Sequence, residues 1–172
     1  MLNRDALDDL YEYTDWSWKV FAKQMRELPP DTLTKAAPGS GWPALRDCYY
    51  HFVGTYDFFL HNVLHLGELI RPPKESIATW RDMEAYRHST RATLRNALDD
   101  MPDGELYEVK TRIIAEQLGG EKLSAADIFA NLLVHERGHH GDISTLLYQL
   151  GHEPPVVDYR PFAVARHRAE TD

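Results

Sequence analysis

His135 and His139 are the residues of this chain best spaced to do chemistry. They lie in the stretch Ser124 to Gly151, SAADIFANLLVHERGHHGDISTLLYQLG. At about 100° per residue its inward positions run Ile128, Leu132, His135, His139, Ile143, Leu146 and Leu150. Two imidazoles four residues apart thus interrupt an apolar stripe and stack on one helix face. A ring nitrogen left bare in a core costs about 1–3 kcal/mol. A metal ion satisfies both rings at once. Two hydrogen-bonded core histidines are the plainer alternative.

A catalytic zinc commonly takes three protein ligands and keeps one position open. His51 is the best third candidate. It follows Cys48 by three residues, about 60° from the centre of its own apolar stripe, on the edge of the buried face. The site would then be built from two helices. Imidazole ligands suit zinc, nickel, iron or copper; zinc is placed first, with nickel or iron next. Asp142 shares a face with His139, one turn on, and would orient a ligating ring or bind the ion itself. Glu136 points about 100° away from His135, which leaves it a base or a supporting group behind the ligands. Cys48, on a buried helix face, is read as packing.

Two other patterns are set aside. His135-Glu136-Arg137-Gly138-His139 matches H-E-x-x-H, the zinc-peptidase signature. The extended metzincin form, however, needs Gly at 142 and His at 145, where Asp142 and Thr145 stand, and little chain remains for a downstream Glu ligand. His61 and His65 are also four apart, but both fall opposite Phe59 and Val63 and are read as exposed or interfacial.

These residues need helices to position them. The segment Asn3 to Leu28 carries Leu7, Leu10, Thr14, Trp18, Phe21, Met25 and Leu28 at helical spacing and stops at Pro29-Pro30. Trp16 and Trp18 are read as core rather than pocket lining. After the turn-rich link Asp31 to Gly41, a second helix is expected from near Pro43 to Ile70, before Arg71-Pro72-Pro73. The third runs roughly from Ser76 to Met101. Its Arg87, Arg91 and Arg95 repeat every four residues and read as a solvated basic ridge; anchoring an acidic ligand is the sharper alternative. Between Pro102 and Lys122 a small hairpin or an ordered loop fits, with Gly119-Gly120 as its turn. Ser124 caps the fourth helix with Asp127 three residues on, and Gly151 ends it. The tail from about residue 152 reads as irregular, packed across the outside, with AVARHRAETD mobile at its end. Four amphipathic helices with one long crossover make an all-α four-helix bundle of one domain, residues 1–172.

Composition narrows the function. The chain has 172 residues, 27 Asp and Glu against 19 Lys and Arg, and a net charge of −8, which argues against nucleic acid or an anionic membrane as partner. No stretch approaches about 18 uninterrupted apolar residues, so no membrane span is expected. No signal peptide is evident. One cysteine fits a reducing, cytoplasmic compartment. Nine histidines are many for this length and need an explanation.

Two stretches carry a resemblance. Trp42-Pro-Ala-Leu-Arg-Asp-Cys-Tyr-Tyr-His51 resembles the segment around the histidine early in the second helix of the DinB/YfiT-like superfamily. Leu133-Val-His135-Glu-Arg-Gly-His139-His-Gly-Asp142, with Leu146 to Gly151 after it, resembles that superfamily's H-x-x-x-H and leucine-rich turn to Gly. His140-Gly141-Asp142 stands where Arg-Gly-Gln is usual. The resemblance implies an up-down-down-up bundle, a divalent metal held by His51, His135 and His139, and a homodimer. It further implies thiol-dependent transferases and isomerases that use low-molecular-weight thiols.

Two functions follow. A three-histidine ion with an open position would act as a Lewis acid and lower the pKa of a bound thiol or water, in a transferase or hydrolase acting on a small molecule. Alternatively the chain is a non-catalytic metal- or ligand-binding dimer. A fourth ligand such as Asp142 would favour the second; a cleft lined by Trp42, Tyr50 or Tyr56 would favour the first.

Overall fold

The computed structural model describes residues 2–37, 39, 41–115 and 119–169. The first helix, α1 (Arg4–Glu27), is capped by Asn3, whose side chain accepts from the Ala6 amide at 3.0 Å. Pro29 and Pro30 follow it, as expected. Leu7, Thr14, Trp18, Phe21 and Met25 are buried on the predicted stripe. Trp18 is core: it stacks on Trp80 at 5.0 Å between ring centroids, with Tyr49 edge-on to both.

The second helix, α2 (Leu45–Asp57), begins just after Pro43 and runs into a π-helical turn, Phe58–Val63. It does not reach Ile70. His65 (φ 57°) and Gly67 (φ 75°) take left-handed conformations, and the chain leaves the helix there. The π turn also corrects the reading of His61. Its bonds run i to i+5, as in Leu64 N–H to Phe59 O at 3.0 Å, so a 100° wheel misplaces every residue in it. His61 turns inward, buried, with Nε2 3.1 Å from Asp57 Oδ1; His65 stays exposed.

The third helix, α3 (Trp80–Asp100), starts at a Thr79/Asp82 capping box. Here the basic-ridge expectation fails. Arg87 and Arg91 are buried and share Glu136, while Arg95 pairs with Asp8 and Asp99. A short helix, α4 (Asp103–Leu106), leads to an antiparallel hairpin of β1 (Lys110–Ala115) and β2 (Gly119–Leu123). Gly119 and Gly120 are strand residues, paired with Ala115 and Ile113, not the turn. Gly120 is glycine for a different reason: a Cβ there would sit 2.3 Å from Thr111 Cγ2.

The helix carrying the histidine pair, α5 (Ala125–Gln149), opens on a full capping box between Ser124 and Asp127. It closes at Gly151 (φ 85°), where Gly151 N–H bonds Tyr148 O and His152 N–H bonds Leu147 O. The tail expected to be irregular forms α6 (Tyr159–Ala169) instead. Pro161 lies in its first turn, where the missing N–H costs nothing. Phe162 packs on Tyr13 and Trp16, and Asp9 receives Tyr159 and Arg166. The expected mobile end falls partly on residues 170–172, outside the described residues.

The protein is therefore mainly helical with one small sheet. Helices α1 and α2 each pack against both α3 and α5. Among the described residues no helix is long and apolar enough to cross a membrane.

Candidate metal centre

The structure brings His51 of α2 together with His135 and His139 of α5. Their ring centroids are 4.4 Å apart for His135 and His139, 4.9 Å for His51 and His139, and 5.3 Å for His51 and His135. One nitrogen from each ring lies within 4.8 Å of the other two. His135 and His139 are half-buried and His51 is exposed, so the cluster opens to solvent on the α2 side.

Proton placement at this cluster follows from its neighbours. His139 Nδ1 lies 2.8 Å from Asp142 Oδ2. An ionised carboxylate only accepts, so Nδ1 carries the proton and Nε2 keeps its lone pair. Trp42 Nε1 donates to the same Asp142 oxygen at 2.9 Å, and the Trp42 ring lies against His51 (5.0 Å) and His139 (5.3 Å). His139 Nε2 faces His135 Nε2 at 3.1 Å. In the protein alone, a His135 N–H donated to His139 accounts for that approach. Two ligands on one tetrahedral ion at zinc–nitrogen distance lie about 3.3 Å apart, so this pair already stands near the spacing that two ligands need.

Charge state agrees. Burial, then the positive charges that His139 and His51 would carry, lower the His135 pKa to about 4. Burial and His139 lower that of His51 as well. Both rings are neutral at pH 7, as ligands must be. Cys48 lies 3.8 Å from His139 Nδ1, but burial, then Asp142 and Asp47, push its thiol well above the usual range. The thiol is therefore protonated in the metal-free protein, although Cys48, His139 and Asp142 also bring one ligand atom each within 4.8 Å of the others. The donor set therefore fits a borderline divalent ion held by three imidazoles, with a carboxylate behind one of them.

Glu136 is not at this cluster. It is fully buried on the core-facing side of α5, where Oε2 accepts from Tyr56 OH at 2.6 Å and Arg91 at 3.3 Å, and Oε1 accepts from Arg87 at 3.1 Å. Burial alone would raise its pKa, but Arg87 and Arg91 outweigh that and hold it well below the usual carboxylate range. His140 is buried beside it, 3.6 Å from Oε1, and burial keeps its ring neutral. Tyr56 thus belongs to this network and not to a cleft at the histidines; Trp42 is the aromatic wall there. Sequence reasoning also gives Asp57 no place. It is fully buried and accepts from Tyr86 OH at 2.9 Å besides contacting His61. Its signal was an acid on the apolar stripe of α2, four residues before a histidine.

The model of the DinB family matches residues 1–170 of the chain. No curated protein matches it.

Proposed function

The chain belongs to the DinB family, and we propose that it is a metal-dependent enzyme whose divalent ion is held by His51, His135 and His139. The convergence of three imidazole nitrogens within 4.8 Å carries this reading. Zinc is the first choice of ion, with nickel or iron next. Bound there, the ion supplies Lewis acidity that eases loss of a proton from a thiol or water.

The chain's own residues prepare the site. Asp142 fixes the tautomer of His139, and Trp42 fixes Asp142. Burial keeps His135 neutral, and Cys48 is protonated in the metal-free protein. Exposure of His51 leaves a side on which a small substrate can approach. The reaction is a thiol transfer to, or hydrolysis of, a small molecule, with a low-molecular-weight thiol as co-substrate. The protein acts as a homodimer in the cytoplasm, a compartment that its one unpaired, buried cysteine suits. We also read the single domain as an up-down-down-up four-helix bundle, a reading supported by the closed ring of contacts among α1, α3, α2 and α5.

A non-catalytic metal-holding dimer would use Asp142 as a fourth ligand. Its Oδ2 already accepts two hydrogen bonds, which favours the supporting role and the open site. A thiol-plus-electrophile turnover screen of zinc-loaded protein tests the choice. Turnover that vanishes in His135→Ala is expected; a loaded protein silent across a broad panel overturns the enzyme reading.

A further inference from the structure

Arg71 is an exposed arginine whose position is nonetheless built. Its guanidinium lies over Gly54 of α2, where a Cβ would stand 2.9 Å from Cζ and from Nη2. Only glycine at that buried position lets the group lie so close to the helix. Arg71 Nε donates to Tyr50 OH at 3.2 Å, and Cζ sits 4.7 Å from the Tyr50 ring centroid. Tyr50 OH in turn donates to Pro72 O at 2.8 Å, which ties the loop after α2 back to the helix. Among the described residues Arg71 has no ion pair with a carboxylate.

This guanidinium neighbours the histidine cluster. His51 and Gly54 are three residues apart on α2, and such positions lie about 5–6 Å from each other along one helix face. Trp42 occupies the other flank of His51. The open side of the cluster is therefore walled by an indole and rimmed by a cation that no carboxylate among the described residues pairs with.

We propose that Arg71 selects, for the three-histidine site, a small molecule that carries a carboxylate or comparable anionic group beside the atom that meets the ion. The proposal rests on the metal-site reading above and names its substrate class. A guanidinium held by its Nε keeps its two terminal nitrogens for a planar, two-pronged anion.

The test uses the full chain loaded with cobalt(II), whose visible bands report ligands at the ion without any turnover. The probes are 4-mercaptobutanoate and 4-mercaptobutan-1-ol, equal in length and differing in charge. The wild-type protein is expected to bind the acid about tenfold more tightly than the alcohol. In Arg71→Gln the two should bind alike, with the cobalt bands of the thiol-free protein unchanged. Gly54→Ala keeps the charge but displaces the guanidinium, and should lose most of the preference without losing stability. Equal binding of the two probes by the wild type overturns the proposal. So does a preference that survives in Arg71→Gln, which would mean the carboxylate binds the ion itself. No cobalt bands at all would instead overturn the metal site, and this proposal with it.

Discussion

His139 donates its Nδ1 proton to Asp142 across 2.8 Å, one helical turn away on the same face of α5. That bond decides which ring nitrogen is free to ligate. Because Trp42 donates to the same oxygen from the segment before α2, the contact also joins the two helices that supply the three imidazoles. A carboxylate behind a ligating histidine fixes ring orientation and raises basicity.

Asp142→Ala should therefore weaken zinc binding about 10–100-fold while leaving the ion in the site at high concentration. Asp142 is partly exposed, so the fold should lose no more than about 1 kcal/mol. Competition with a chromophoric chelator measures the first effect and urea unfolding the second. Unchanged zinc affinity would remove the role assigned to this carboxylate.

Glu136→Ala should be far more damaging to the fold than to the chemistry. It leaves Arg87 and Arg91 buried with their shared anion removed, a loss of about 3–5 kcal/mol. Equilibrium unfolding of the metal-free protein would show it. A cost below about 1 kcal/mol would mean the network is solvated rather than buried.

Acid should destabilise the metal-free protein in a defined window. The folded His135 ring takes up its proton near pH 4, whereas an ordinary imidazole does so near 6.5. Between those values the unfolded chain binds more protons, so stability falls as pH drops from about 6.5 to about 4 and is unaffected by this ring above it. His51 and His140, also shifted down, act in the same direction. Glu136, held low by its arginines, adds a further loss below the ordinary carboxylate value of 4.5. Thermal melts from pH 4 to 8 should show this slope, and His135→Gln should flatten it; a flat wild-type profile would contradict it.

Ser124→Ala removes one half of the capping box that opens α5, the helix bearing two of the three proposed ligands. Ser124 Oγ accepts from Asp127 N at 3.1 Å, and Asp127 accepts from the Ser124 amide at 2.8 Å. Stability should fall by about 1 kcal/mol, with zinc stoichiometry unchanged. Loss of zinc in this variant would mean that the end of the helix, not only its middle, positions the rings.

The histidine cluster was legible because α5 is a regular helix, so spacing alone placed His135 and His139 on one face and Asp142 beside them; the inward positions, however, are Glu136 and His140, and the pair edges the core rather than interrupting its stripe. His51 followed for the same reason, early in α2 before that helix changes its winding. His61 was illegible for the converse reason: a π turn breaks the 100° step on which its facing was judged. Arg87 and Arg91 look like a solvated ridge because their anion, Glu136, is supplied by a helix more than 40 residues away in sequence. Only packing reveals that pairing. The terminal helix α6 was hidden by Pro161, a helix breaker everywhere except in the first turn, where it stands.

In the proposed site three imidazoles from two helices hold one cation. Its most direct test is elemental analysis of protein purified without a nickel column, wild type beside His135→Ala. Close to one divalent ion per wild-type chain is expected and nearly none in the variant, with circular dichroism showing both folded. Equal metal content in the two proteins, or none in either after incubation with zinc, would contradict it.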